Sequence, residues 1–426
     1  MPPAARVLGL ECLRCHTLYD EPRLFMGCPR CRSEGVPVNV TVKLDLAPLE
    51  RLMPEELAPG RGPQGVWRFS SLMPVASDRP VTLGEGATPL IHLERLGRRL
   101  GLNRLYAKDE SQNPTWSYKD RLCAVAVTHA VESAARVVTI ASTGNHGAST
   151  AAYAARAGLP CVIFTLASVP ESMKTLMQAY GAAVVACPTS ESRWRLMREG
   201  IERLAWYPTG GFIVPPIGSN PYGIEGYKTL AYEVAEDLGW QSPDLVVAPS
   251  AYSDGLFGIW KGMTELHALG LIKNVPRMIA AEPFGPLADA LNRGLETPEQ
   301  VEGGDSVAFS IASRYGTYQG LAALRQSRGS AVRITDEGVF ESQRALAREE
   351  GIFAEPSSAA AMAAVLQLRA RGAVDPDELI ILVLTSGGLK DARASRAWLP
   401  EVPAAPDDLR GVLAVLRESY GLELGG

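Results

Sequence analysis

Four cysteines stand close together near the start of the chain, Cys12, Cys15, Cys28 and Cys31, in the spacing C-x2-C-x12-C-x2-C. Two such knuckles offer four soft thiolates, the donor set that holds zinc tetrahedrally. With sulfur at every position no coordination site is left open, so the expected role of the metal is structural. The alternatives are two disulfides, which a reducing compartment disfavours, or four free thiols. The other cysteines, Cys123, Cys161 and Cys187, lie in apolar stretches where a thiol behaves as a small hydrophobe. Two further segments carry reactive or anion-binding groups. Ser142-Thr143-Gly144-Asn145-His146-Gly147 follows a short apolar run and opens an alanine-rich one. At a helix start these residues leave backbone N–H groups for an anion such as a substrate carboxylate; a plain N-cap would need only one Ser or Thr. The segment Asn113 to Arg121 places Lys119 in the first turn of an apolar helix, where the helix dipole disfavours a cation. A Schiff base would remove that charge, and a solvated lysine paired with Asp120 is the alternative.

These groups need a scaffold, and from Thr82 onward short β-branched runs alternate with longer stretches of helical spacing. Strands are expected at Leu105 to Lys108, Val137 to Ala141, Cys161 to Thr165, Ala183 to Ala186, Asp244 to Ala248, Met278 to Glu282 and Leu379 to Thr385. Helices are expected between them, among others at Lys119 to Ala134, Gly147 to Ala157, Ser190 to Trp206, Gly255 to Leu269 and Ser358 to Arg371. Such alternation predicts an α/β protein with twisted, mostly parallel sheets and helices on both faces, and ligands beyond the carboxyl ends of the strands. Residues 1–46 read as a small separate module. The Pro- and Gly-rich stretch Pro48 to Arg79 reads as a connecting segment anchored by Trp67 and Phe69.

Composition narrows the class. The chain has 426 residues, 46% of them hydrophobic and 21% charged, with a net charge of −5. It contains no long block of like charge, so nothing offers an extended cationic face to nucleic acid. No apolar run approaches the roughly 18 residues needed to span a bilayer, and the first residues lack the pattern of a secretory signal, so a cytoplasmic location is the expectation.

The motifs together, Gly84-Glu85-Gly86-Ala87-Thr88-Pro89-Leu90, Lys108-Asp109-Glu110, Asn113 to Arg121, Ser142 to His146, Glu225-Gly226-Tyr227-Lys228-Thr229 and Leu384-Thr385 with Gly388-Leu389-Lys390-Asp391, resemble threonine synthase and its relatives. These are pyridoxal-phosphate enzymes of fold type II, the tryptophan-synthase-β type, some with a similar amino-terminal cysteine module. The resemblance implies two three-layer α/β domains, the larger from 47–105 and 221–426 and the smaller from 106–220, preceded by a zinc-ribbon-like module at 1–46. It implies pyridoxal 5′-phosphate and a structural Zn2+, a small amino-acid substrate and a homodimer. Lys119 resembles the Schiff-base lysine that also shuttles the Cα proton, and Asn145 the partner of the cofactor's 3′-oxygen. Ser142, Thr143, Gly144, Asn145 and His146 resemble the loop that grips the substrate carboxylate. Thr385 resembles the partner of the pyridine nitrogen, with Ser386 nominated by a slip of register. The cofactor phosphate is expected on Ala251, Tyr252, Ser253, Asp254, Gly255 and Leu256, where the charge of Asp254 would repel it unless turned away.

Several positions depart from the pattern. Gly223 stands where an arginine commonly binds the substrate phosphate, and Ile217 and Gly218 stand in place of Asn and Ser. The loss of such donors argues against O-phosphohomoserine as the substrate. Trp116, Tyr118 and Tyr227 add bulk beside the reacting carbon. His146 is expected either as a general acid for a departing substituent or as a packed structural histidine. Glu355 opens a helix as a cap or closes over the cofactor. The expected function is β- or γ-elimination or replacement on an amino acid. The alternatives are a genuine threonine synthase, a serine/threonine dehydratase, or a non-catalytic binding protein on the same fold.

Overall fold

The computed structural model describes residues 4–57, 64–75, 78–169 and 171–424. The chain divides into two compact units, Met1–Asp391 and Ala392–Gly426. The first begins with an antiparallel sheet in which β1 (Arg6–Cys12) lies between β2 (Leu18–Tyr19) and β3 (Val40–Asp45). A module of this size cannot bury enough apolar surface by itself. Its core of Leu10, Val38, Val40, Val42 and three of the four clustered cysteines is completed by Tyr222 and Tyr318, contributed by later parts of the chain. The ribbon expected to stand apart therefore shares its core with the body.

The connecting segment carries its two expected anchors, Trp67 and Phe69, fully buried, with Phe69 edge-on to Tyr232 at 5.2 Å; residues 58–63 and 76–77 lie outside the described residues. The body then runs β4 (Leu90–His92), α1 (Glu94–Leu100), β5 (Arg104–Asp109), α2 (Lys119–Glu132), β6 (Val138–Ala141), α3 (Asn145–Ala157), β7 (Cys161–Leu166), α4 (Glu171–Ala179), β8 (Ala183–Cys187), α5 (Ser190–Leu204) and β9 (Tyr207–Pro208). It continues through α6 (Lys228–Asp237), β10 (Leu245–Pro249), α7 (Asp254–Ala268), β11 (Arg277–Glu282), α8 (Pro286–Asn292), α9 (Tyr318–Gln326), β12 (Ser330–Arg333), α10 (Asp336–Glu350), α11 (Pro356–Ala370) and β13 (Leu379–Leu384). Two sheets result, ordered β12-β11-β10-β13-β5-β4 and β8-β7-β6-β9. Every pairing in them is parallel except the edge strand β4.

The apolar runs of β10 and β13 are continuous because both faces are covered. Leu245, Val247, Ile380, Leu382 and Leu384 enter the core on one side of the larger sheet, and Val246, Ala248, Leu379, Ile381 and Val383 enter the core on the other. In these two sheets the strands that periodicity overlooked, β4, β9 and β12, are two to four residues long, too short to show a period; in the ribbon β1 and β2 were overlooked as well. The domain boundary expected after residue 105 falls inside β5, which pairs with β13 along its whole length and so belongs to the larger sheet.

The second unit contains α12 (Leu409–Tyr420), begun by Asp408, whose carboxylate accepts from Gly411 N, and ended by Gly421 at φ +66°. Among the described residues no helix is long and apolar enough to cross a membrane.

Candidate active site

The strand-to-helix turns of both sheets converge on one cavity of about 540 Å³. It is lined by Tyr118 and Lys119, by Ser142 through His146, by Ala251 through Gly255 and by Thr385. Of the residues expected to hold the cofactor phosphate only Leu256 turns away, its side chain 1% exposed in the core beneath the larger sheet. Its backbone amide remains in the first turn of α7.

Lys119 opens α2, and its Nζ lies 5.0 Å from the ring centre of Tyr118 and 5.7 Å from that of Tyr227. Asp120 is not its partner. That carboxylate accepts from Thr115 N, Thr115 Oγ1 and Ser149 Oγ, each at 2.6 Å. The helix start is fixed by Arg121, fully buried and bonded through its fork to both Glu110 and Glu233, with Lys108 on Glu233 at 3.1 Å. The charged motif residues Lys108, Glu110, Arg121, Glu225 and Lys228 thus form buried ion networks, Glu225 pairing with Lys228 and Lys261. Such networks hold geometry because removal of one member leaves an uncompensated charge.

At the turn after β6, Ser142 Oγ accepts from Gly144 N at 3.2 Å and Gly147 N at 2.9 Å, so it organises the loop from within. The amides of Thr143, Asn145 and His146 have no acceptor among the described residues. Gly147 packs closely under the neighbouring helix: a Cβ there would meet Met177 Cε at 2.7 Å and Ser142 Cβ at 3.2 Å. Asn145 Nδ2 donates to Glu355 at 2.8 Å, and the other oxygen of Glu355 accepts from Ser310 Oγ at 2.6 Å. Glu355 makes no side-chain cap bond, so it orients Asn145 rather than capping α11. Two buried polar atoms here lack partners, Asn145 Oδ1 and His146 Nε2. Burial, and then the charge of Lys119, hold the His146 imidazolium well below its usual range.

The loop after β10 fits an anion. Ser253 sits in the left-handed region at φ +62°, its hydroxyl 2.9 Å from that of Ser250. The amides of Ala251, Tyr252, Ser253, Gly255 and Leu256 have no acceptor among the described residues. Asp254 does not oppose an anion there, because its carboxylate is drawn outward by Ser219 N at 2.8 Å, Ser219 Oγ at 2.6 Å and Gln319 Nε2 at 2.7 Å. Gly255 packs under Tyr118, where a Cβ would come within 2.6 Å of the ring. Thr385 lines the cavity with its hydroxyl 2.9 Å from Ser358 Oγ. Ser386 is buried away from the cavity and donates to Trp116 O at 2.9 Å, which favours the Thr385 register. These free amides and the unpaired lysine suit a phosphorylated carbonyl cofactor.

Other departures take on a different meaning in three dimensions. Trp116 is 49% exposed and does not line the cavity. Gly223 packs on α2, where a Cβ would lie 3.0 Å from Leu122 and 3.1 Å from Ala126. Ile217 and Gly218 face the ribbon: a Cβ on Gly27 would meet Ile217 Cδ1 at 2.8 Å, and one on Gly218 would meet Asn39 Nδ2 at 2.8 Å. All three meet packing neighbours and none lines the cavity. Sequence reasoning missed Arg193, which lines the cavity while 7% exposed. Its Nη2 donates to Ser190 Oγ at 3.1 Å, its Nε has no partner, and among the described residues no carboxylate pairs with it. It lies in an ordinary helical pattern that gave no signal. Arg314 lines the mouth of the same cavity.

In the ribbon the four cysteine Sγ atoms lie within 4.8 Å of one another, with Cys12–Cys31 at 3.6 Å and Cys15–Cys28 at 3.7 Å and no disulfide. A zinc tetrahedron with bonds of about 2.3 Å has edges of about 3.8 Å, so the donor set fits a metal. Tyr19 Oη at 3.1 Å from Cys28 Sγ adds an outer contact.

The family profile described as "Pyridoxal-phosphate dependent enzyme" matches residues 81–386, and this chain belongs to that family, in its threonine synthase-like branch. It is 32% identical to a threonine synthase of Methanocaldococcus jannaschii over 96% of this chain and 99% of that one. It is 35% identical to a threonine synthase of Mycobacterium bovis over 80% and 92%. Among solved structures, the processed form of threonine deaminase isoform 2 from Solanum lycopersicum superposes with a TM-score of 0.62 at 20% identity, covering 73% of this chain and 83% of that one. O-ureido-L-serine synthase superposes with a TM-score of 0.60 at 22% identity, covering 74% and 94%. The chain is a pyridoxal-phosphate-dependent enzyme of fold type II, of the group that eliminates or replaces substituents on amino acids.

Proposed function

We propose that this enzyme removes or replaces an anionic substituent on a small amino acid, with O-phosphohomoserine, converted to threonine and phosphate, as the first substrate to test. The observation that carries the proposal is Arg193, a buried cation facing the cavity with no carboxylate within ion-pair distance among the described residues. An unpaired buried charge is costly, and a substrate anion would offset that cost. The names of the relatives point the same way. The positions read from the sequence as missing phosphate ligands, 217, 218 and 223, meet packing neighbours, so donors for a substrate phosphate would have to come from elsewhere, as Arg193 can supply.

Pyridoxal phosphate, when bound, supplies the electron sink that makes the substrate's Cα–H acidic. Lys119, once released from the cofactor, takes that proton on Nζ, and the Tyr118 and Tyr227 rings beside it keep the amine in an apolar setting. The free amides of Thr143, Asn145 and His146 bind the substrate carboxylate and fix which face meets the lysine. Neutral His146 accepts or gives a hydrogen bond without adding charge. The four cysteines hold zinc as a structural ion.

The test is direct. The full-length protein, loaded with cofactor, is given O-phosphohomoserine and separately serine and threonine. Release of phosphate with threonine supports the proposal. Conversion of serine or threonine to oxo acids with no turnover of the phosphorylated substrate would overturn it in favour of a dehydratase.

A further inference from the structure

The ribbon reaches the site through one side chain. Asn39, at the start of β3, is 2% exposed, and its Nδ2 donates to Ser219 O at 3.1 Å and to Gln319 Oε1 at 3.3 Å. Gln319, fully buried on α9, donates in turn from Nε2 to Tyr252 O at 2.9 Å and to Asp254 at 2.7 Å. Ser219 binds the same Asp254 through its amide and hydroxyl. Tyr252 and Asp254 flank Ser253 in the loop whose free amides face the cavity.

An amide has a polarity, and this relay fixes it. Asn39 Oδ1 accepts from Val40 N at 3.0 Å, so its NH2 group must point away from β3 toward Gln319. That occupies Gln319 Oε1 and leaves the Gln319 NH2 group for Asp254 and Tyr252 O. A flipped Gln319 would set its oxygen against the Asp254 carboxylate, a repulsive contact in a buried place. Val40 pairs with Cys12, so the strand that orients Asn39 is held in register by the cysteine cluster. Space for the relay comes from Gly218, at φ +124°, where a Cβ would lie 2.5 Å from Gln319 Nε2 and 2.8 Å from Asn39 Nδ2.

We infer that Asn39 is a positioning residue for the cofactor's phosphate: through Gln319 and Ser219 the ribbon keeps Asp254 turned outward and the loop amides aimed at the anion. This inference rests on the assignment of that loop to the phosphate. It gives the ribbon a role in cofactor affinity, beyond covering the body.

The experiment compares the binding of pyridoxal phosphate and of pyridoxal, which lacks the phosphate, to the full-length chain, followed by absorbance. The wild type is expected to prefer the phosphorylated form, and Asn39→Leu to reduce that preference about tenfold while its affinity for pyridoxal stays near that of the wild type. Thr41→Val is the control: Thr41 Oγ1 accepts from Lys261 at 2.9 Å, a tie between ribbon and body that does not reach the loop, and it should leave the preference unchanged. If Asn39→Leu does not fold, Asn39→Ala is read in the same way. Equal preference in wild type and Asn39 variant, or an equal loss in Thr41→Val, overturns the inference. A wild type with no preference for the phosphate overturns the loop assignment instead.

Discussion

Arg193→Met separates a substrate-binding arginine from a structural one, because the two roles predict opposite signs. Arg193 is 7% exposed; its guanidinium has one hydrogen-bond partner, Ser190 Oγ, and lies 5.9 Å from the ring centre of Trp194, while its Nε is free. Burial pulls its pKa below the usual arginine value, a desolvation cost that the charge of Glu191, beyond ion-pair distance, offsets only in part. Methionine keeps the apolar stem and removes that cost, against one lost hydrogen bond of about 1 kcal/mol. The substrate-free variant should therefore melt within about 1 kcal/mol of the wild type, or above it. Catalysis should suffer. Two charge-assisted hydrogen bonds to an anionic substituent, from Nε and the free Nη1, are worth at least about 1.5 kcal/mol each, a loss of about a hundredfold or more in kcat/KM. The loss should appear with the anionic substrate and not with serine, and the absorbance of bound cofactor should be unchanged. A variant that is clearly less stable, with kcat/KM preserved for the anionic substrate, would refute the reasoning.

Lys119→Ala should abolish the visible absorbance of covalently held cofactor and the turnover of every substrate, whereas a variant that keeps the absorbance would exclude Lys119 as the attachment point. Glu355→Gln leaves the shape of the site intact but weakens the acceptor for Asn145 Nδ2 and Ser310 Oγ, so cofactor affinity should fall about three- to tenfold, read by absorbance titration. Zinc should be present at about one ion per chain by elemental analysis and absent from Cys12→Ser; unchanged metal in that variant would remove the ribbon site. Glu282, 1% exposed and reached among the described residues only by the amides of Leu287 and Ala288, has its pKa pushed up by burial to about 8 from 4.5. It is protonated in the fold and ionised in the unfolded chain between those values, so its contribution to stability falls as pH rises through that window. Glu282→Gln should flatten the fall and exceed the wild type at pH 8 by about 2 kcal/mol or more in denaturant titrations.

The sequence by itself determined what depends on neighbours along the chain. The alternation of β-branched runs with helical stretches settled an α/β fold, since burial on both faces of β10 and β13 is written in every residue of those strands. The cysteine spacing placed four sulfurs within reach of one ion. Lys119 drew notice because a cation at a helix start is locally anomalous, though only the resemblance of the surrounding motif singled it out, and the turn after β6 because its polar residues are consecutive. Tertiary structure decided whatever depends on residues brought together from distant segments. Glu355 orients Asn145 from 210 positions away, and Arg193 faces the cavity from a helix whose sequence is ordinary. Gly218 and Ile217 read as lost substrate ligands until the ribbon was seen packed against them. A residue's spacing is a property of the chain, whereas its partners are set by packing, and in this enzyme the polarity of one buried amide, Asn39, links the first strand hairpin to a loop more than 200 residues later.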